Sequence, residues 1–325
     1  MLNVCSHVKY ETIFFIYLSL FIIIIYLVNG SKKEINNDYK SPCKSQVERK
    51  PLISVWNPAI KAAKTAVAFL YNDKVHDLAP TLASLDKHFA DNISSDIIIF
   101  HTGYPFKRHQ ESIANVTKRQ IIFYNVDEAF MSFPQGFDPY REEPNWTKRG
   151  KWNYQHMCRF WFKLMIDIPV VIKYDYLMRL DSDSKLQGDW FNIFHLMEKK
   201  TAVYFGNVEE ADSEDGLPGL MNLKTFTLYY QKINKVTPRN PIRLKRAFDI
   251  PKHIRLYNTN FDVIKVEFFR RHEIRRWVDA IDETSGIFKY RWGDHVLRYI
   301  TTALFAGPAE VLLRTDFNLP YCHPC

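Results

Sequence analysis

The stretch Tyr176-Leu-Met-Arg-Leu-Asp-Ser-Asp183 decides the reading of this chain. Tyr176 to Leu180 is a short, mostly apolar run that reads as a buried strand, and two carboxylates follow it at once, spaced by one serine. A strand end fixes the backbone, so Asp181 and Asp183 can both aim oxygens at one hard cation. Magnesium or manganese held by two carboxylates keeps open positions for the phosphates of a nucleotide. Such a cation offsets charge developing on a diphosphate leaving group. The competing reading is a solvated acidic turn, and the place at a strand end is what favours the site.

Working outward, Thr65 to Leu70 (TAVAFL), Asp96 to Phe100 (DIIIF) and Gln120 to Val126 (QIIFYNV) read as further buried strands. Between the first two, Asp77 opens a helix whose Leu78, Leu82, Leu85 and Phe89 recur at helical spacing, with Pro80 in the tolerated first turn. Downstream the pattern predicts helices over 153–166, 190–199, 221–235, 266–281 and 290–305, and strands over 202–205 and 311–314. Glu209 to Gly219 (EEADSEDGLPG) reads as a solvated acidic loop. The expected fold class is therefore α/β, a mixed, mostly parallel sheet flanked by helices. In such sheets ligands bind beyond the carboxyl ends of the strands, which is where Asp181 and Asp183 stand.

With only 11 glycines the chain carries no GxGxxG and no GxxxxGK[ST], so Rossmann and P-loop nucleotide binding have no motif behind them. An apolar share of 46% with 25% charged residues excludes a disordered or collagen-like chain. The net charge of +8 suits a partner that carries phosphates. That charge is spread along the chain, so it does not choose among such partners, and the lack of a basic cluster interleaved with aromatics counts against nucleic acid.

Ile13 to Val28 is an almost unbroken apolar run, at the short edge of a membrane span and the long edge of a signal sequence. Its flanks, Lys9 and Glu11 before and Lys32 and Lys33 after, would by themselves put the rest of the chain in the cytosol. Three glycosylation sequons at Asn92, Asn115 and Asn145, and four cysteines at 43, 158, 322 and 325, favour the lumen of the secretory pathway instead. Residues 31–58, punctuated by Pro42, Pro51 and Pro58, read as a stem.

Several blocks carry a more specific signal. Tyr154-Gln-His-Met-Cys-Arg-Phe160, Arg179-Leu-Asp181-Ser-Asp183, Asn260-Phe-Asp262, Tyr290-Arg-Trp-Gly-Asp294 and Ala303-Leu-Phe305 together resemble, in collinear order, the fungal Golgi α-1,2-mannosyltransferases. The resemblance runs from about residue 64 to the last residue. It implies a GT-A-like fold in a single-pass type II protein of the Golgi or ER membrane, or a secreted protein if the signal is cleaved. On that reading residues 1–30 are a signal-anchor or signal peptide, 31–58 the stem and 59–325 the catalytic domain. The implied reaction is retaining transfer of mannose from GDP-mannose, with manganese, to a mannose acceptor on a glycoprotein or glycolipid. Other readings are the same fold with another nucleotide sugar, and a non-catalytic glycan-binding relative.

The resemblance also assigns residues. Asp181 takes the place near metal and nucleotide, with Asp183 as its partner in the metal site and Arg179 beside it. Asp262 stands where the family has a glutamate at the anomeric carbon, one methylene shorter, as nucleophile or as stabiliser of an oxocarbenium-like state. Ungapped counting puts Arg298 where the family has a metal-ligating histidine. Arginine cannot ligate a cation, so either His295, one turn earlier, substitutes, or Arg298 itself pairs with the diphosphate. Tyr154 and Arg159 are candidates to touch nucleotide or acceptor, with a helix–sheet ion pair as the alternative for Arg159. Asp294 is a candidate acceptor-hydroxyl partner or general base, or a helix cap. Trp292 is a sugar wall or a core residue, Cys158 is buried or disulfide-bonded, and Cys322-x-x-Cys325 has the spacing of a redox or half zinc site.

Overall fold

The computed structural model describes residues 63–71, 75–103, 107–142, 152–213 and 219–325. The apolar run, the stem, Cys43 and the Asn145 sequon lie outside them. Among the described residues no helix is long and apolar enough to cross a membrane. Asn92 and Asn115 are exposed.

The first half alternates strands and helices: β1 (Thr65–Tyr71), α1 (Val75–His88), β2 (Asp96–His101), α2 (Lys107–Ala114), β3 (Ile121–Asn125), α3 (Asp127–Met131), α4 (Asn153–Arg159) and β4 (Tyr176–Leu180). Then come β5 (Lys185–Leu186), α5 (Ile193–Lys199), β6 (Tyr204–Gly206), β7 (Glu209–Ser213), α6 (Leu220–Asn234), α7 (Pro241–Ala247) and β8 (His253–Tyr257). The last part holds β9 (Phe261–Lys265), α8 (Val266–Phe269), α9 (His272–Glu283), α10 (Gly286–Tyr290), α11 (Asp294–Phe305), β10 (Val311–Leu313) and β11 (Tyr321–Cys322).

The central sheet has seven strands in the order β10-β6-β9-β4-β1-β2-β3. Strands β4, β1, β2 and β3 run parallel, and β9 is inserted antiparallel to both β4 and β6. Because side chains alternate across a strand, Val67, Phe69, Ile97 and Ile99 face a layer built from α1 and α5, where Leu78, Leu82 and Leu85 are fully buried. Ala66, Ala68, Ile98 and Phe100 face the other layer, where Phe160, Trp277 and the long buried helix α11 pack. Burial on both faces is why these strands read as continuous apolar runs rather than alternating ones.

Four local expectations are corrected. The acidic segment from Glu209 begins not as a loop but as β7, paired antiparallel with β8, and Glu209 is held there by Arg246 and Arg255. The helix expected over 266–281 breaks between α8 and α9, where Arg271 takes an extended ψ of 140° and both Arg270 and Arg271 face solvent. The helix expected over 290–305 begins only at Asp294, because Tyr290 closes α10 and Arg291 adopts the left-handed conformation (φ 55°) that ends it. Residues 160–164 widen into a π turn rather than continuing α4 as a regular helix.

Candidate active site

A cavity of about 590 Å³ opens at the carboxyl ends of β1, β2, β3 and β4. Leu70 and Tyr71 end β1, Thr102 follows β2, Asp127 follows β3, and Asp181 to Asp183 follow β4; all line it. Tyr154 and Met157 of α4 close one side. The Asp181-Ser-Asp183 turn is held from three directions. Asp181 N donates to Asn260 O (2.9 Å), Ser184 N donates to Asp181 O (3.1 Å), and the Thr81 hydroxyl of α1 donates to Ser182 O (2.6 Å). The strand end therefore presents its two carboxylates on a fixed backbone.

A third group meets them that the sequence reading did not single out. β11 pairs antiparallel with β5, and Cys325 N donates to Asp183 O (3.1 Å), so the tail lies along the turn. His323 of that tail lines the cavity, with Nε2 3.2 Å from Asp183 Oδ1 and 3.9 Å from Asp181 Oδ2. The Asn260 amide nitrogen donates to its Nδ1 (2.7 Å), which holds the ring with its Nε2–H toward the two carboxylates. Cys322 and Cys325 are disulfide-bonded to each other around His323, so this pair is neither a zinc half-site nor joined to Cys158, which is free and buried.

Among the described residues no three His, Cys, Asp or Glu side chains close around a cation unaided. The ligand set at this strand end is the two carboxylates of Asp181 and Asp183, hard oxygens that suit manganese or magnesium whose remaining positions go to phosphate oxygens and water.

Beneath the cavity lies a buried charge network centred on Arg179. Its Nε donates to Asp181 Oδ1 (3.1 Å), a further nitrogen donates to Asp294 Oδ2 (2.6 Å), and the guanidinium lies 4.6 Å from the centre of the Trp161 ring. Across the β4–β9 ladder Arg179 is directly opposite Asp262, so both side chains leave the same face of the sheet. Asp262 is only 4% exposed, and Arg298 Nε stands 3.7 Å from its Oδ2, too far for a hydrogen bond. Burial pushes the Asp262 carboxyl up to about 6, against the pull of Arg298 and Arg179. Burial also raises Asp181, opposed by Arg179. For Asp294 burial pushes upward too, but Arg179, His295 and hydrogen bonds outweigh it and hold the group below the usual carboxylate range.

The sequence candidates thus fall into three sets. Tyr154, Asp181 and Asp183 line the cavity. Arg179, Asp294 and Asp262 form the layer below it. Arg159, Arg298 and His295 are occupied elsewhere. Arg159 makes an ion pair, but between helices rather than from helix to sheet, gripping Asp282 of α9 through two nitrogens (2.7 and 2.9 Å). Arg298 donates to Trp161 O (3.0 Å) and lies 4.5 Å from the centre of the Phe269 ring, buried and outside the cavity lining. His295 folds back over Gly293, so closely that a Cβ there would come within 2.0 Å of the ring, and the imidazole that reaches Asp181 and Asp183 is that of His323. Asp294 begins α11 without capping it, and Trp292 is core, 2% exposed and donating to Gly219 O (3.0 Å).

Comparison with known proteins agrees with this architecture. The chain is 24% identical to the O-glycoside alpha-1,2-mannosyltransferase omh1 of Schizosaccharomyces pombe, over 83% of this chain and 71% of that one. It is 22% identical to the glycolipid 2-alpha-mannosyltransferase of Saccharomyces cerevisiae, over 82% of this chain but only 62% of that one. Among solved structures, core-mannan synthase A of Aspergillus fumigatus in its Mn/GDP form superposes with a TM-score of 0.71 at 19% identity, covering 85% of this chain and 81% of that one. The mannosyltransferase Ktr4p of S. cerevisiae in complex with GDP gives 0.65 at 20% identity, covering 81% of this chain and 71% of that one. The sequence signature described as glycolipid 2-alpha-mannosyltransferase matches residues 26–323, and the chain belongs to that family of glycosyltransferases.

Proposed function

We propose that this chain transfers mannose from GDP-mannose, in α-1,2 linkage and with retention, to a mannose-containing glycoprotein or glycolipid acceptor. The observation that carries the reading is the meeting of Asp181, Asp183 and His323 in one cavity at the carboxyl edge of the sheet. Asp181 and Asp183 would hold manganese, with His323 beside them, and the ion, when bound, would offset the charge that develops on the departing diphosphate. Support comes from the relatives: the A. fumigatus synthase was solved in an Mn/GDP form and Ktr4p with GDP, on the fold this chain shares.

The chain's own residues divide the remaining work. Arg179 fixes the Asp181 carboxylate from below and joins it to Asp294. Tyr154, whose hydroxyl burial keeps protonated, offers a ring and a donor to the sugar side of the cavity. Asp294, held ionised, is the carboxylate we assign to the acceptor hydroxyl, and Asp262 the one assigned to the anomeric centre. Arg298 supports Asp262 rather than the diphosphate. The apolar run at 13–28 and the exposed sequons support a lumenal, type II placement in the secretory pathway.

The deciding experiment feeds purified protein a panel of GDP- and UDP-sugars with mannose and methyl mannoside, with manganese or with a chelator. Transfer from GDP-mannose that stops in chelator and in Asp181→Asn is the expected result. GDP binding with no transfer from any donor would replace the enzyme by a glycan-binding relative, the reading that the burial of Asp262 away from the cavity would then favour.

A further inference from the structure

We propose that Asp127 reads the nucleobase of the donor and that its carboxylate selects guanine. The inference rests on the reading above, that the cavity receives a nucleoside diphosphate, and it goes further by assigning the end where the base lies. The strands that end in the cavity are adjacent in the order β4-β1-β2-β3. Asp181 and Asp183 stand after the first of them and Asp127 after the last, all lining the same space. Neighbouring strands lie about 4.8 Å apart, so the two ends are separated by about 14 Å. A nucleoside diphosphate laid across the strand ends, phosphates at Asp181, brings its base to β3.

At that end the Asp127 carboxylate is pinned by neutral donors. Gly103 N donates to Oδ1 (2.5 Å), the Asn125 side-chain amide donates to Oδ2 (2.8 Å), and Asp127 N returns a bond to Asn125 Oδ1 (2.8 Å). These bonds, Asn125 first and Gly103 next, hold the group below its ordinary value, so it stays ionised and accepts only. Each oxygen has two acceptor sites and accepts one bond from the described residues here, so each keeps a lone pair to offer a ligand. Guanine presents two adjacent donors, N1–H and the 2-amino group. Adenine presents an acceptor at N1, and uracil has a single N–H between two carbonyls. A charged, bidentate acceptor therefore favours guanine and repels adenine.

The wall beside Asp127 fits a flat base. Met131 lies one turn later on α3, on the same face, and is 75% exposed while lining the cavity with Phe130. A large apolar thioether left open to solvent costs nothing once a purine covers it, and sulfur pairs favourably with aromatic faces.

The test compares GDP with IDP, which differ only in the 2-amino group, and adds UDP, by calorimetric titration with manganese present. The full chain and its Asp127→Asn variant are titrated, with thermal melts to confirm that both fold. Wild type is expected to bind GDP about tenfold more tightly than IDP, and the variant to lose that preference. The ratio is read within one protein, so a general weakening of the variant does not obscure it. A GDP-to-IDP ratio that survives in Asp127→Asn, or a wild type that treats the two alike, overturns the assignment while leaving nucleotide binding intact. A wild type that binds none of the three nucleotides overturns this inference together with the reading beneath it.

Discussion

Among the described residues, two of the buried arginine–aspartate networks are built differently: those around Arg159 and around Arg179. Around Arg159 every charge is answered: Asp282 receives two of its nitrogens, Ser132 O a third (3.0 Å), and Lys163 Nζ completes Asp282 at 3.0 Å. Burial would raise Asp282, but these partners hold it below the usual range, and none of the group lines the cavity. Around Arg179 the charges are not all answered. Two guanidiniums, of Arg179 and Arg298, are shared among Asp181, Asp262 and Asp294; Asp262 rises to about 6, and Asp181 keeps 30% of its side chain open to the cavity. A closed pair is scaffold. An open one leaves a lone pair and a charge for something that is not part of the chain.

Removing one member from each network should separate them. The largest effect is expected for Arg159→Met, which leaves Asp282 buried with Lys163 alone. A loss of about 3–5 kcal/mol in urea unfolding is expected, with the donor KM of the folded protein unchanged. A changed KM would give Arg159 a place in the site after all. Asp181→Asn should do the reverse: transfer falls by about 10²–10³-fold, while the melting temperature holds, because burial raises this carboxyl and its charge adds little to folding.

The smallest effect concerns protons. Asp262 has a folded value near 6 against an ordinary 3.8, so between those limits the folded chain holds a proton that the unfolded chain has released. Its contribution therefore favours folding on the acid side and is lost as pH rises through about 6. If the ionised form is the active one, kcat should climb tenfold per pH unit below about 6, then level. Asp262→Asn should lack that limb, and an acid limb surviving in the variant would take Asp262 out of the chemistry.

The β1–β4 half of the sheet was legible because each strand is buried on both faces and announces itself as an apolar run. Asp181 and Asp183 were legible for the same reason: they directly follow such a run. What sequence reading missed depends on distant pairing. His323 becomes a site residue only because β11 returns to β5 and Cys325 binds Asp183. Nothing in Tyr321-Cys-His-Pro-Cys325 by itself says so. The break at Arg291 was hidden because a left-handed arginine carries no sequence mark of the kind a glycine would. Counting along α11 gives the turn of Arg298 but not its face, and that face meets Trp161, Phe269 and Asp262 rather than the cavity.

The insertion of β9 also bears on which shortened forms of the chain stay soluble. All five residues of β4 are buried, and β9 covers its free edge along the whole ladder from Tyr176–Lys265 to Leu180–Phe261. A product ending upstream of Phe261 would expose that edge as a bare, apolar template for pairing with other chains, the usual start of aggregation. Premature termination in the middle of this chain should therefore yield insoluble material, not a partly active domain.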